Sequence, residues 1–283
     1  MIFRIHQDNA DSVRLLFERQ AHNIQVASIL DGNTRGEIWA DRPRNPTVAA
    51  IWDGILTVFL AGNHESLTFI NALVAWVESS VTPTVRRYGD SYFNLYCHSP
   101  EWQARLANIF KGYRVEPGTR CLHTFRGHPS IVQPLPNNFS LHRIDDSLLT
   151  RRDLEEQDWL QAWVTTFWHT KEDFLEKGVG YAVLHKDKKV VSLCLSLFVS
   201  GRQVEFGTAT HPEFQNRGLS TNLASACVQE CLDRELEPIW QCWDDNLPSL
   251  AVARKAGFVL QQKYTVYKLF LFKTENRSPL LNA

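Results

Sequence analysis

The chain has 283 residues, more than the roughly 250 at which a single hydrophobic core usually stops growing, so two domains are expected. Hydrophobic residues make up 44% and charged residues 22%, a balance typical of a globular protein that excludes a disordered one. Thirty basic against thirty-one acidic residues leave a formal charge of −1, which indicates neither a nucleic acid nor an anionic membrane as partner.

The amino terminus shows no targeting segment. Asp8, Asp11 and Arg14 interrupt the region where a signal peptide needs an unbroken apolar core. No apolar run approaches the ~18 residues that would span a bilayer. We therefore expect a cytoplasmic protein with neither a membrane nor a nucleic acid among its partners.

The first half of the chain alternates helices and strands. Asp53-Gly54 is a strong hairpin signal between two apolar runs, and Pro100 is typical of a first helical turn. The predicted helices cover residues 10–20, 65–80 and 100–111, and the predicted strands cover residues 36–41, 47–54, 55–63 and 92–99.

The composition changes after the first half. Residues 127–138 contain three prolines and two asparagines without periodicity, which is typical of a linker. We therefore predict an amino-terminal domain over residues 1–126 and a carboxy-terminal domain over residues 139–283.

The second half resumes the alternation. Gly257 stands where the end of a helix favours a residue with positive φ. The predicted order is a strand at 139–145, a helical region at 149–168, three antiparallel strands within 178–210, a helix after Gly218, a strand at 238–243, a helix at 247–257 and a final pair of strands ending near residue 272.

The six cysteines have no CxxC spacing and are too sparse for a disulfide scaffold, so they are predicted to be buried thiols. Cys227 and Cys231 are four residues apart, as a pair of metal ligands can be. No histidine pair accompanies them, and Leu219 and Leu223 share their helix face. We therefore expect core packing here and no metal site.

The segment Gln-Asn-Arg-Gly-Leu-Ser at residues 215–220 lies at the start of the helix after Gly218. A helix start exposes unpaired N–H groups and partial positive charge, and a glycine lets an anion approach the backbone. Arg217 can add a charged contact to such an anion. Taken alone, these residues favour a simple helix cap followed by a solvated arginine over an anion site.

The surrounding pattern resembles the GNAT superfamily of acyl-CoA-dependent N-acyltransferases. Its signature at a strand-to-helix turn is Q/R-x-x-G-x-G/A, which residues 215–220 match except that Ser220 takes the last small position. A second family feature is an asparagine that opens the next helix and a Gly-Phe that closes it, here Asn246 and Gly257-Phe258. Residues 178–258 look like the branch related to zwittermicin-resistance acetyltransferases, and residues 36–62 more loosely resemble the amino-terminal part of that branch.

The resemblance implies an α+β fold with a mixed sheet, a GNAT fold in the carboxy-terminal half and a degenerate GNAT-like unit before it. It also implies that acetyl-CoA lies where the sheet splays after the strand at residues 204–209. The implied contacts are the backbone of Phe206, Gly207, Thr208, Ala209 and Thr210 for pantetheine, Gln215, Asn216, Arg217, Gly218, Leu219 and Ser220 for the pyrophosphate, and Asn246 and Ser249 at the start of the next helix.

Catalysis needs a neutral amine and a proton for the departing thiolate. Glu205, on the strand before the turn, is the candidate base, and its alternative is a carboxylate in a salt bridge at the rim. Many family members place a tyrosine near the end of the second helix, where this chain has Ala253. Tyr264, Tyr267 or Ser249 could take its role, although a strand tyrosine is more often packing.

Aromatic and histidine side chains near this segment allow two interpretations. His211 is either a phosphate contact or, more simply, a turn residue. Trp159, Trp163 and Trp168 are spaced so that they could line an acceptor pocket over a helix face, but a core stripe is favoured because tryptophan readily fills protein interiors.

The sequence therefore predicts an acyl-CoA-dependent N-acetyltransferase that moves an acetyl group to an amine of a small-molecule acceptor by direct attack. Two alternatives stay open at this point. One is a regulatory protein that binds acyl-CoA without turnover, which the alanine at position 253 motivates. The other is an aminoacyl transferase of tandem GNAT-like architecture, against which the near-zero net charge counts because such an enzyme would bind tRNA.

Overall fold

The computed structural model describes residues 2–127 and 134–271. The described strands are β1 Phe3–Ile5, β2 Glu37–Ala40, β3 Val48–Trp52, β4 Thr57–Gly62, β5 Tyr92–Cys97, β6 Tyr113–Phe125, β7 Phe139–Arg143, β8 Gly180–His185, β9 Lys189–Ser200, β10 Gln203–Thr210, β11 Glu237–Trp243 and β12 Phe258–Leu271. The described α-helices are α1 Asp11–Arg14, α2 Ile24–Leu30, α3 Leu67–Trp76, α4 Thr82–Arg87, α5 Pro100–Ile109, α6 Asp146–Thr150, α7 Gln157–Phe167, α8 Lys171–Lys177, α9 Leu219–Asp233 and α10 Leu247–Lys255.

All twelve strands form one sheet in the order β1-β2-β3-β4-β5-β12-β6-β11-β10-β9-β8-β7. The pairs β4–β5 and β10–β11 are parallel, and every other neighbouring pair of this sheet is antiparallel. The predicted mixed sheet of an α+β fold is therefore confirmed. Three of its neighbouring pairs, β12–β5, β12–β6 and β11–β6, join strands from opposite halves of the chain.

The two halves repeat one order of elements. In each half, four antiparallel strands are followed by helical segments that cross to a parallel strand, then by one helix and one long strand. The long strands β6 and β12 are exchanged, because β6 pairs with β11 and β12 pairs with β5. The predicted domain boundaries stay a prediction, and the centre of the predicted linker, residues 128–133, lies outside the described residues.

Strand β6 is absent from the elements predicted from sequence. It contains Pro117 and Gly118, which normally interrupt strands, and its exposed part does not alternate. Because β11 pairs with β6 only over residues 120–124, the edge of β6 beside Pro117 has no partner there among the strands that the structure describes. A residue without an N–H donor is tolerated at such an edge.

Several predicted helices are wrong in extent. The helical region predicted at 149–168 divides into α6 and α7, because the backbone of Glu155 between them bonds to Lys188 and Val190 beside β9. The helix predicted at 10–20 becomes the short α1 followed by a 3₁₀ turn, and α2 was not predicted. The final strand pair is instead the single long strand β12, and residue 272 lies outside the described residues.

Other local predictions are confirmed. The chain turns at Asp53-Gly54, where Gly54 has φ +77°, and α10 ends before Gly257 at φ +94°. All six cysteines are free and buried. Cys227 and Cys231 pack with Leu219 and Leu223 in the core beneath α9, as expected of a core helix face.

Candidate active site

A cleft of about 950 Å³ opens where β10 and β11 diverge. The two strands pair only over residues 203–205 and 237–239, and beyond that point each continues with a different neighbour. This is the splayed sheet that the resemblance implied. All predicted donor-binding residues except Arg217 line the cleft: Phe206, Gly207, Thr208, Ala209, Thr210, Gln215, Asn216, Gly218, Leu219, Ser220, Asn246 and Ser249.

The amino terminus of α9 faces this cleft. Gly218 precedes the helix at φ +77° with no side-chain cap, and a Cβ built on it would meet no atom within 4 Å. Asn216 also has a positive φ, of 61°. These left-handed residues turn the chain sharply into the helix, so that backbone N–H groups at the helix start line open space, as an anion site requires.

The Arg217 side chain points elsewhere. Its guanidinium carbon lies 5.7 Å from the centre of the Phe214 ring and 5.9 Å from that of Phe139. One of its nitrogens donates to the Glu213 carbonyl oxygen at 3.3 Å. Any contact of Arg217 with a bound phosphate in this arrangement would therefore use its backbone N–H.

Four polar side chains meet deeper in the cleft, and we call Arg120, Glu205, Gln241 and Tyr264 the polar cluster. Gln241 Nε2 donates to Glu205 Oε2 at 2.9 Å, and the Tyr264 hydroxyl donates to Gln241 Oε1. Arg120 lies next to the Tyr264 hydroxyl. Strand pairing explains the arrangement, because Trp243, Arg120 and Tyr264 are directly opposite one another on β11, β6 and β12 and so share a face.

Burial sets the acidity of the cluster. Glu205 is only 5% exposed, and this burial raises the pKa of its carboxyl to about 7, although the Arg120 charge and the Gln241 hydrogen bond act in the opposite direction. Burial likewise raises the pKa of Tyr264 to about 12. Within the part of the chain that the structure describes, Glu205 forms no ion pair closer than 4.0 Å, so it is not the rim salt bridge of the alternative interpretation.

The amino-terminal half contributes a second wall. Tyr96 on β5 and His22 before α2 pack against Tyr264, with ring centres 5.3 and 4.8 Å from it. The Tyr96 hydroxyl and His22 Nε2 are 2.9 Å apart, and burial lowers the pKa of His22 to about 4. Asn94 also lines the cleft, and its buried Oδ1 has no hydrogen-bond partner among the described residues.

Sequence reasoning missed the contributions of Arg120, Gln241, Tyr96 and His22. Arg120 lies on the unpredicted β6, and none of the four belongs to a motif. A prediction of β6 as a strand would have directed attention to Arg120.

The start of α10 positions two predicted residues. Asn246 Oδ1 accepts from the Ser249 N–H at 3.2 Å and caps the helix. Ser249 Oγ in turn accepts from Trp240 Nε1 at 3.0 Å. Ala253 is fully buried in the core and does not line the cleft, whereas Tyr264 lines the cleft from the opposite side of β11.

The three tryptophans and His211, which the sequence left with two interpretations each, differ in their contacts. Trp168 is fully buried, and its Nε1 donates to the Ser196 carbonyl oxygen, as a core residue does. Trp163 lines the cleft. Trp159 stacks on His211 with ring centres 4.4 Å apart, and His211 lies at the turn between β10 and α9. All three tryptophans pack on the same hydrophobic core, and Trp163 also contributes to the cleft.

Two absences concern the described residues only. No group of three or more His, Cys, Asp or Glu side chains is arranged to hold a metal ion within residues 2–127 and 134–271. Across the same ranges, no helix combines the length and the apolar character needed to cross a membrane.

Comparisons with known proteins agree with this geometry. The sequence is 27% identical over 264 residues to the "Uncharacterized N-acetyltransferase YdfB" of Bacillus subtilis (strain 168). The match covers 90% of this chain and 94% of that protein. The fold matches a GCN5-related N-acetyltransferase-like protein from Streptococcus suis 89/1591 with a TM-score of 0.69 at 24% identity, over 93% of this chain and 98% of that one.

A tandem GNAT protein from the clavulanic acid biosynthesis pathway shares the fold with a TM-score of 0.58 at 13% identity, over 97% of this chain and 99% of the other. This likeness agrees with two GNAT-like units in one chain, while the narrower resemblance to the zwittermicin-resistance branch stays a prediction. The model of the family described as GNAT acetyltransferase matches residues 14–267, which include both halves of the sheet and the cleft. The chain therefore belongs to the GNAT acetyltransferase family and is a GNAT-type N-acetyltransferase.

Proposed function

We propose that the protein transfers an acetyl group from acetyl-CoA to the amine of a small-molecule acceptor. One observation carries the proposal: a single cleft joins the uncapped start of α9 to the buried carboxyl of Glu205. The first feature suits an anionic donor, and the second suits proton removal from an amine.

The cleft fits acetyl-CoA at three points. The start of α9 at Gly218 has open space for the pyrophosphate. The edge of β10 over residues 206–210 has no partner among the described strands on the β11 side, so its backbone groups can pair with the pantetheine amides. Asn246 and Ser249 close the opposite wall. When bound, acetyl-CoA supplies the activated acetyl group.

In the proposed reaction the acceptor nitrogen forms a bond to the acetyl carbon, and the carbon–sulfur bond breaks. The proton lost by the amine passes to Glu205, directly or through a water. Tyr264 acts through Gln241 to hold that carboxyl in place. Ser249 donates a hydrogen bond to the departing thiolate, since its oxygen already accepts from Trp240 and its proton, which contacts the Cys242 thiol, can turn to that thiolate.

The donor site is tested by Gly218→Glu, with Gly201→Glu as the matched control. Both glycines have positive φ and open space at the Cβ, but Gly201 lies in the β9–β10 turn away from the cleft. We expect calorimetry to show loss of acetyl-CoA binding by Gly218→Glu alone, because the new carboxylate occupies and repels the pyrophosphate site. If the purified protein does not bind acetyl-CoA, or if both variants bind it equally, the proposal fails.

A further inference from the structure

The guanidinium of Arg120 is the one feature of the polar cluster that amine acetylation leaves unexplained. Arg120 lies on β6 in the middle of the sheet, and its guanidinium carbon is 5.3 Å from the centre of the Trp243 ring. It lines the cleft together with Glu205 and Tyr264. A cation at the centre of a sheet carries a large desolvation cost unless an anion pairs with it.

No carboxylate within residues 2–127 and 134–271 forms an ion pair with Arg120 at 4.0 Å or less. Burial disfavours its charge, whereas Tyr264 and the more distant Glu205 favour that charge and leave the pKa of Arg120 raised on balance. The Tyr264 hydroxyl, with which Arg120 forms a hydrogen bond, uses few of the five N–H donors of a guanidinium. Because Arg120 lines the cleft, a ligand there can pair with the donors that remain.

We infer that the acceptor is an amine that also carries a carboxylate, and that Arg120 binds this carboxylate while Glu205 faces the amine. The inference rests on the proposed function, since it assigns the acceptor to the same cleft. Glu205 and Arg120 attract each other without a direct ion pair, so an acceptor with one positive and one negative group complements both of them.

The balance of charge favours a carboxylate over a phosphate. A guanidinium binds either group in a bidentate fashion. A phosphate dianion, however, would place two negative charges against one guanidinium and near the Glu205 carboxyl. A carboxylate brings one charge and leaves Glu205 opposite a cation, so the charges of the buried Glu205 and the half-buried Arg120 are both compensated.

The aromatic side chains of the cleft indicate what the acceptor carries besides its amine and its carboxylate. Trp163, Phe167 and Trp243 line the same cleft, and Tyr96 closes it from the amino-terminal half. These walls suit an apolar or aromatic portion attached to the charged part. The inference therefore names an amino acid, or a compound with the same two groups, as the acceptor class.

The test compares acetylation of each standard amino acid with acetylation of its carboxamide. CoA release is followed for the wild type, Arg120→Gln, Arg120→Lys and the control Arg114→Gln. Arg114 is on the same strand, pairs with Glu116 at 3.3 Å and does not line the cleft. Acetyl-CoA binding is measured by calorimetry for every variant, so that a misfolded variant is recognised.

We expect the wild type and Arg114→Gln to have a lower KM for the amino acids than for the corresponding carboxamides. In Arg120→Gln the KM for the preferred acid rises roughly 10- to 100-fold, the range expected for loss of a charged hydrogen bond, and the ratio of acid to amide kcat/KM falls to about one. Arg120→Lys recovers part of that ratio, because the charge is kept and the bidentate geometry is lost.

Three results overturn the inference while leaving acetyl-CoA binding intact. One is equal use of acids and amides by the wild type. Another is an unchanged acid preference in Arg120→Gln. The third is acetylation of no carboxylate-bearing amine in the panel. Failure of the wild type to bind acetyl-CoA is a different result, because it overturns the proposed function itself.

Discussion

Glu205 shows what a residue gains from its place in the structure. The sequence pattern places Glu205 on the strand before the turn at residues 215–220. With the usual pKa of a glutamate carboxyl, however, it would be a weak base at neutral pH. Between Gln241 and the wall formed by the amino-terminal half it is almost fully buried, which raises the pKa of the carboxyl to about 7. A carboxyl with this pKa takes a proton from an amine more readily than an exposed one does.

The pH dependence of activity follows from this pKa. The base must be ionised, so kcat/KM is expected to rise about tenfold per pH unit below pH 7 and to level off above it. Steady-state rates with acetyl-CoA and a fixed acceptor measure the profile. Glu205→Gln removes the inflection and most of the activity, whereas Glu213→Gln, an exposed carboxylate outside the cleft, keeps both. An inflection that persists in Glu205→Gln would assign the base to another group.

Two helix starts define the cleft at the scale of the element. At α9 the chain uses Gly218 and leaves the helix end without a side-chain cap, which keeps the N–H groups open to a ligand. At α10 the chain uses Asn246 as a cap, which satisfies the Ser249 N–H within the protein. The first helix start is thus open to an anion, and the second is closed by its own cap.

Two substitutions distinguish the role of Asn246 as the cap of α10 from a direct contact with the ligand. Asn246→Ala removes the bond to the Ser249 N–H and is expected to lower the free energy of unfolding by about 1 kcal/mol, measured in urea. Asn246→Ser restores a cap and most of the stability. If Asn246 also contacts the pantetheine arm, Asn246→Ala lowers the affinity for acetyl-CoA and Asn246→Ser does not restore it. Full recovery of affinity would leave it as a cap alone.

The elements with a clear local signal were predictable. The strands β8, β9 and β10, helix α9, and the turns at Asp53-Gly54 and Gly257 follow from periodicity and from turn chemistry. Strand β6 was not predictable, because its pairing with β11 and β12 overrides the proline and glycine that argue against a strand locally. Arg120 was therefore missed along with its strand.

The whole molecule is joined by the reciprocal exchange of β6 and β12. Each half contributes its last strand to the sheet of the other, so β12 separates β5 from β6 and β6 separates β12 from β11. The polar cluster draws on both halves for the same reason, since Arg120 comes from β6 and Tyr264 from β12. Neither half contains the complete cluster.

Cleavage of the predicted linker tests this dependence. A specific protease site inserted between residues 128 and 133 is expected to yield two fragments that co-elute in gel filtration and unfold in a single transition, because each holds a central strand of the other. The uncleaved insertion variant is the control. Fragments that elute separately and remain folded would show that the exchanged strands do not hold the halves together.

The sequence by itself determined the family resemblance, the turn at residues 215–220 and the strand that carries Glu205, because these depend on residues close together along the chain. The tertiary structure alone decided that Arg120, Tyr96 and Tyr264 line one cleft with Glu205, and that the Arg217 side chain turns away from it. The physical reason is that strand exchange brings together residues that are distant in sequence, and burial between the two halves then sets their charges and hydrogen bonds.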